Sequence, residues 1–302
     1  LILYCLKMLL KKKTIILSAS WWNLNNLIII FFSKLIQIFK LEVHGKLGYW
    51  MEESPKVNKE NFLINKLKIF IYGKVDFFIV PGDFSYKKVK NILLKSSSKT
   101  KKQIFNLPNL IDTVKFSGRN LQHERKSNKT IQILIVARLD DKRKGITQFI
   151  KSISNSKCFR ENFNINIVGE GPDNEKIKKF INEEGISSLV NLLGNCKYDE
   201  VSNLMKEVDV FCLPSFLDPS PLSLVEAAFS GLPLIASKYC GNNKELLEHK
   251  NNGYLIDPFN SQTSVDAINW IYNNKEKLAE KGKLSREIAE RNYDPDAVIK
   301  KL

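Results

Sequence analysis

Between residues 131 and 258, apolar runs too short for helices alternate with amphipathic segments, one strand-plus-helix pair about every 20–30 positions. That rhythm restricts the fold to a doubly wound parallel sheet, because each parallel strand must be reached through a crossover that covers one face. Ile131 to Ala137 reads Ile-Gln-Ile-Leu-Ile-Val-Ala, rich in β-branched residues and followed by charge, as a strand buried on both faces requires. Ile146 to Ile153 has the spacing of the helix that follows it. Further strands are predicted from Asn164 into Gly169, over Val190–Gly194, Val208–Pro214 and Leu234–Ser237. Helices are expected from Pro172 or Asp173, over Asp199–Met205, and through an apolar stretch ending at Gly231.

Residues 214–233 read Pro-Ser-Phe-Leu-Asp-Pro-Ser-Pro-Leu-Ser-Leu-Val-Glu-Ala-Ala-Phe-Ser-Gly-Leu-Pro. Asp218 lies in a loop punctuated by Pro and Ser, and Glu226 follows eight positions later inside the helix. Two carboxylates therefore bracket a helix N-terminus. Such an end presents unpaired N–H groups and a positive dipole, so a diphosphate would meet the amides of Leu222, Ser223 and Leu224. The carboxylates would accept hydrogen bonds from sugar and ribose hydroxyls, which makes a sugar nucleotide the matching ligand. The plainer alternative is an Asx-turn residue at 218 and a solvated helix acid at 226.

Arg138 stands at the carboxyl end of the first strand, the edge at which sheets of this class bind ligands. Lys144-Gly145 follows it in Leu-Asp-Asp-Lys-Arg-Lys-Gly. Asn164 to Pro172, Asn-Ile-Asn-Ile-Val-Gly-Glu-Gly-Pro, runs a strand into Gly169 and Gly171, where glycine permits close backbone approach or positive φ. The acid-x7-acid spacing, Arg138-Leu139, Lys144-Gly145, the Gly-x-Gly-Pro turn and Gly241-Asn-Asn-Lys-Glu-Leu246 together resemble glycosyltransferase family 4. Each motif is weak alone, but as an ordered set they cover nearly all of residues 131–258.

The resemblance implies an α/β chain of GT-B architecture, with two facing Rossmann-like domains of which the first is incomplete here. It implies a retaining transferase whose donor is a nucleoside-diphosphate sugar. Arg138 and Lys144 would grip the donor diphosphate and neutralise the leaving phosphate in place of a metal, so neither cofactor nor metal is expected. Asp218 stands where the family usually has Glu, one methylene shorter, and would hold the donor sugar with Glu226. The nucleotide base would lie against Asn195, Cys196 and Lys197, mainly through backbone groups. Asp209 is read as structural. Glu245 either caps its helix or reaches a ligand, capping being the simpler role.

In the amino-terminal part, strands are expected at Thr14–Ser18, Lys40–His44, Val75–Val80 and Ile104–Leu107, with an apolar helix over Leu27–Phe39. In the family a strand ending in His-Gly brings its His to the donor sugar, which assigns His44 to that place. Pro108-Asn-Leu-Ile-Asp112 matches the segment approaching the interdomain linker. Glu52 and Glu53, beside Trp50 and Pro55, fit either an acceptor cleft or a solvated loop. The domains are placed at 1–117, truncated at its start, and 130–302, with a flexible linker at 118–129. Lys95–Lys102, with its Ser run, reads as an exposed loop.

The formal net charge of +15 is uneven. Residues 1–117 hold 20 Lys against 7 acids, whereas residues 118–302 are nearly balanced. A Lys-rich domain carrying the apolar stretch Leu27–Phe32 fits an anionic membrane surface, where lipid-linked acceptors reside. Nucleic-acid binding is the competing reading of the charge, and no recognition motif accompanies the lysines. The Leu27–Phe39 run is too short and too polar to span a bilayer, and lysines 11–13 follow the opening apolar run, the wrong flank for a secretion signal. Cys5, Cys158, Cys196, Cys212 and Cys240 lack metal-ligand spacing and read as buried thiols of a reducing cytoplasm. The expected function is transfer of a sugar to a glycan or lipid-linked hydroxyl in cell-surface polysaccharide synthesis. The alternatives are a noncatalytic sugar-nucleotide-binding or scaffold subunit, and an epimerase or phosphorylase on the same fold.

Overall fold

The computed structural model describes residues 15–19, 28, 46–52, 62–96, 102–117 and 130–300. Described residues up to Pro108 form one compact unit and those from Asn109 onward form another.

The first unit is built on a four-stranded parallel sheet in the order β1-β2-β3-β4: β1 Ile15–Ala19, β2 Lys46–Trp50, β3 Phe77–Val80 and β4 Gln103–Asn106. Leu47, Tyr49, Phe78 and Val80 enter its core with Ile71, Tyr72, Val89 and Ile92 from the helices Phe62–Tyr72 and Asp83–Leu94. β3 starts at Phe77 rather than Val75. Asp76 instead turns its carboxylate to the Leu47 N–H, 2.7 Å away, and so fixes the entry to β2. β2 was not legible as a strand, since Lys-Leu-Gly-Tyr-Trp breaks the apolar alternation at Gly48. A Cβ there would collide with the Phe77 ring on the neighbouring strand, so the glycine is the cost of seating that aromatic. The expected Lys40–His44 strand, the Leu27–Phe39 helix apart from Ile28, residues 118–129, most of the Lys95–Lys102 loop, Glu53, Pro55 and Cys5 lie outside the described residues.

The second unit carries a six-stranded parallel sheet in the order β10-β9-β8-β5-β6-β7. Its strands are β5 Ile131–Val136, β6 Phe163–Val168, β7 Val190–Gly194, β8 Val210–Leu213, β9 Leu234–Ser237 and β10 Gly253–Ile256. The continuous apolar runs follow from two covered faces. Ile131, Ile133 and Ile135 of β5 enter one core with Ile146, Phe149, Ile150 and Ile153, while Leu134 enters the other with Phe211, Leu224 and Ala228. The helix Ile146–Ile153 buries residues one turn apart, the i, i+3, i+4, i+7 face read from the sequence. Chain order reverses between β5 and β8. A sheet wound this way opens a crevice outside the carboxyl ends of those two strands.

Candidate functional site

The carboxyl end of β5 continues as Ala137-Arg138-Leu139, and its backbone stays zipped to the β6 side. The Ala137 N–H donates to Val168 O at 3.1 Å and the Leu139 N–H to Glu170 O at 2.9 Å. This closeness demands glycine opposite. Gly169 has φ +135°, and a Cβ there would collide with Ala137 O; a Cβ on Gly171 would collide with the Leu139 backbone. The glycine pair thus seats the Arg138 loop. Asp173 locks it further: its N–H donates to Leu139 O at 3.0 Å and its carboxylate accepts the Asp141 N–H at 2.8 Å. Arg138 itself is exposed, and its guanidinium has no hydrogen-bond or ion-pair partner among the described residues.

A short helix, Asp141–Lys144, ends at Gly145, whose φ of +63° turns the chain toward the loop after β8. A Cβ at Gly145 would lie 2.9 Å from Pro214 O and 3.0 Å from the Phe216 ring, so only glycine lets these loops meet. The Leu217 N–H donates to Arg143 O at 3.1 Å, and the Lys144 ammonium forms an ion pair with the Asp218 carboxylate. Both side chains are largely buried. The Asp218 backbone is also tied to the loop after β9, its N–H donating to Tyr239 O at 3.3 Å and its carbonyl accepting the Gly241 N–H at 2.8 Å. Loops from β5, β8 and β9 therefore meet at Asp218 and Lys144.

The helix Leu222–Phe229 starts beside them behind Pro221, which supplies no side-chain cap, so the amides of Leu222, Ser223 and Leu224 keep no side-chain acceptor. Asn242 donates to Pro221 O at 3.2 Å and braces this end. Its Oδ1, like the Ser215 hydroxyl, is buried without a hydrogen-bond partner.

Glu226, one turn into the helix, is 8% exposed. Burial pushes its carboxyl up to about 7, opposed by a hydrogen bond from the Tyr198 hydroxyl. Tyr198 opens the helix Tyr198–Glu207 directly after Asn195, Cys196 and Lys197, the loop that leaves β7. Burial and the neighbouring Glu226 charge raise the Tyr198 phenol, so it stays a donor. Its ring meets Phe116 edge-on at 5.2 Å. Glu226 thus belongs with the β7 loop, whereas Asp218 belongs with Lys144. Sequence reading missed Tyr198, whose one signal is an aromatic immediately following that loop.

Two expectations are revised and one stands. Glu245 does not cap its helix; its carboxylate accepts the Tyr293 hydroxyl at 2.7 Å and anchors the helix Leu278–Tyr293. Cys158 and Cys196 are only half-buried, unlike Cys212 and Cys240. Asp209, read as structural, exchanges backbone and carboxylate hydrogen bonds with Gln132 at 2.9 Å. His44 lies outside the described residues.

Residues 117–288 match the family described as glycosyl transferases group 1. An uncharacterized glycosyltransferase of Haemophilus influenzae is 31% identical over 137 residues, covering 45% of this chain and 38% of that protein. The amylovoran biosynthesis glycosyltransferase AmsK of Erwinia amylovora is 30% identical over 149 residues, covering 47% and 36%. The chain thus spans well under half the length of these relatives. The crystal structure of HepE from Anabaena in complex with UDP superposes with a TM-score of 0.76 at 17% identity, covering 99% of this chain and 80% of that one. The likeness is one of fold, the GT-B architecture of paired Rossmann-like domains.

Proposed function

The chain belongs to the glycosyl transferases group 1 family, and on that premise we propose that it is a retaining, family 4 transferase moving a sugar from a nucleoside-diphosphate sugar to a hydroxyl of a glycan or lipid-linked acceptor. The observation that carries this reading is the convergence of the Arg138 loop, the Lys144–Asp218 pair and the uncapped Leu222–Phe229 helix at the β5/β8 reversal. Arg138 supplies an unpartnered guanidinium for a diphosphate oxygen, and the amides of Leu222, Ser223 and Leu224 supply donors along the helix dipole. Lys144 is shared: it holds Asp218 in place and reaches the departing phosphate. Glu226, on the β7 side, accepts ribose hydroxyls beside a base resting on Asn195, Cys196 and Lys197. Gly169 and Gly171 act through the backbone they seat. His44 is proposed to reach the donor sugar.

The acceptor oxygen bonds to the anomeric carbon on the face from which the diphosphate departs. The glycosidic bond to the diphosphate breaks, and the leaving phosphate oxygen takes the acceptor's proton. Arg138, Lys144 and the helix amides stabilise the charge that builds there, without a metal. The relative AmsK is named for amylovoran biosynthesis, in keeping with an acceptor in a cell-surface polysaccharide, made at the cytoplasmic face of a membrane. Transfer from a panel of nucleotide sugars tests the reading: Arg138→Ala should lower kcat about 100-fold or more, with anomeric configuration retained by NMR. Inverted product, or full activity in Arg138→Ala, overturns it. Donor binding without transfer or hydrolysis would point to the noncatalytic subunit.

A further inference from the structure

The helix Phe62–Tyr72 buries Ile71 and Tyr72 in the core but turns a second apolar set outward. Phe62, Leu63 and Phe70 are 68%, 70% and 61% exposed, while Lys68 on the opposite face is 1% exposed. At the helical repeat, Phe62, Lys66, Phe70 and Leu63 fall within an arc of about 100°. The arc contains no acid. Its cations lie against its rings: the Lys66 ammonium is 4.5 Å from the Phe62 ring centre, and Lys74, just past the helix end, is 5.4 Å from that of Phe70. In the sequence, the first 117 residues carry 20 Lys against 7 acids.

We propose that this arc docks flat on an anionic lipid bilayer, with Phe62 and Phe70 entering the boundary between headgroups and acyl chains. Lys66 and Lys74 would swing from the rings to lipid phosphates. Aromatic rings flanked by flexible cations suit that boundary, because the rings leave water while the ammonium groups remain at headgroup depth. A protein partner of ordinary surface would need its own acids to meet these lysines, whereas an anionic leaflet supplies charge everywhere along the arc. The mode is surface attachment, since no helix among the described residues is long and apolar enough to cross a membrane. The inference rests on the reading of a lipid-linked acceptor, and its test uses neither donor nor acceptor, so that either can fail alone.

The test is co-sedimentation of the chain with vesicles of phosphatidylglycerol and phosphatidylcholine, compared with phosphatidylcholine alone. Binding is expected only to the anionic vesicles, weakening as salt rises. The double variant Phe62→Ser, Phe70→Ser should lose it, while Ile299→Ser, an exposed apolar residue of the second unit, should not. Should the double variant misfold by circular dichroism, Lys66→Gln and Lys74→Gln decide, each lowering the partition coefficient about fivefold. No binding to anionic vesicles, undiminished binding by these variants, or a native dimer that the double variant splits into monomers overturns the proposal.

Discussion

Glu226 is an acid whose chemistry is changed by where the fold puts it. Its carboxyl is raised from an ordinary value near 4.5 to about 7 because burial disfavours the charged form, and one phenol hydrogen bond offsets this only in part. The native state therefore holds a proton that the unfolded chain has already released between those two values. Stability contributed by this site falls as pH rises through that window, and the loss is complete above the folded value, on the order of 3 kcal/mol. Glu226→Gln keeps an acceptor for Tyr198 and removes the titration. Urea unfolding should find it more stable than the native chain at about pH 9 and equal near pH 4.5; equal stability at both would mean the carboxyl is not desolvated. Nucleotide-sugar binding should weaken in the same variant. The acid itself was legible from its spacing to Asp218. Its partner Tyr198, 28 positions away, was not, because their meeting depends on how two helices pack rather than on any local pattern.

At the scale of elements, the readable segments are those whose sequence has one physical solution. β5 and β8 must be central strands because nearly every residue in them is apolar, and Ile146–Ile153 must be a helix because only that period gathers its four core residues on one side. Less readable are elements whose residues answer to a neighbour: β2, with a glycine set by Phe77, and the loops at the site, whose glycines answer to backbone strands away in sequence. Gly169 and Gly194 separate these causes. Both have positive φ, but a Cβ at Gly169 would strike Ala137 O, whereas at Gly194 nothing lies within 4 Å. Gly194→Ala should thus cost only the backbone strain, about 1 kcal/mol. Gly169→Ala should cost about 3 kcal/mol or more, because the Arg138 loop must shift. Chemical denaturation measures both, and binding of a nucleoside diphosphate should suffer only slightly in Gly194→Ala but severely in Gly169→Ala. Similar costs would mean that close approach does not shape this loop.

For the whole molecule, cores and charge are divided in opposite senses. Among the described residues, the second unit holds two large apolar clusters, one on each face of its sheet, and the first a single small one, while the sequence gives the first most of the net positive charge. Buried area scales with core size, so the second unit has the larger reserve of stability, and like-charge repulsion further lowers that of the first. Every described residue assigned here to the donor diphosphate lies in the second unit. A ligand that binds only folded protein raises the stability of the unit that holds its site, by about 2.7 kcal/mol at a hundred times its Kd. Scanning calorimetry should therefore show two transitions, and a nucleoside diphosphate should raise the upper one alone, with the shift lost in Arg138→Ala. High salt should raise the lower one by screening its lysines. One transition that moves as a whole with ligand would instead mean that the units unfold together, and that the donor site draws its stability from both cores.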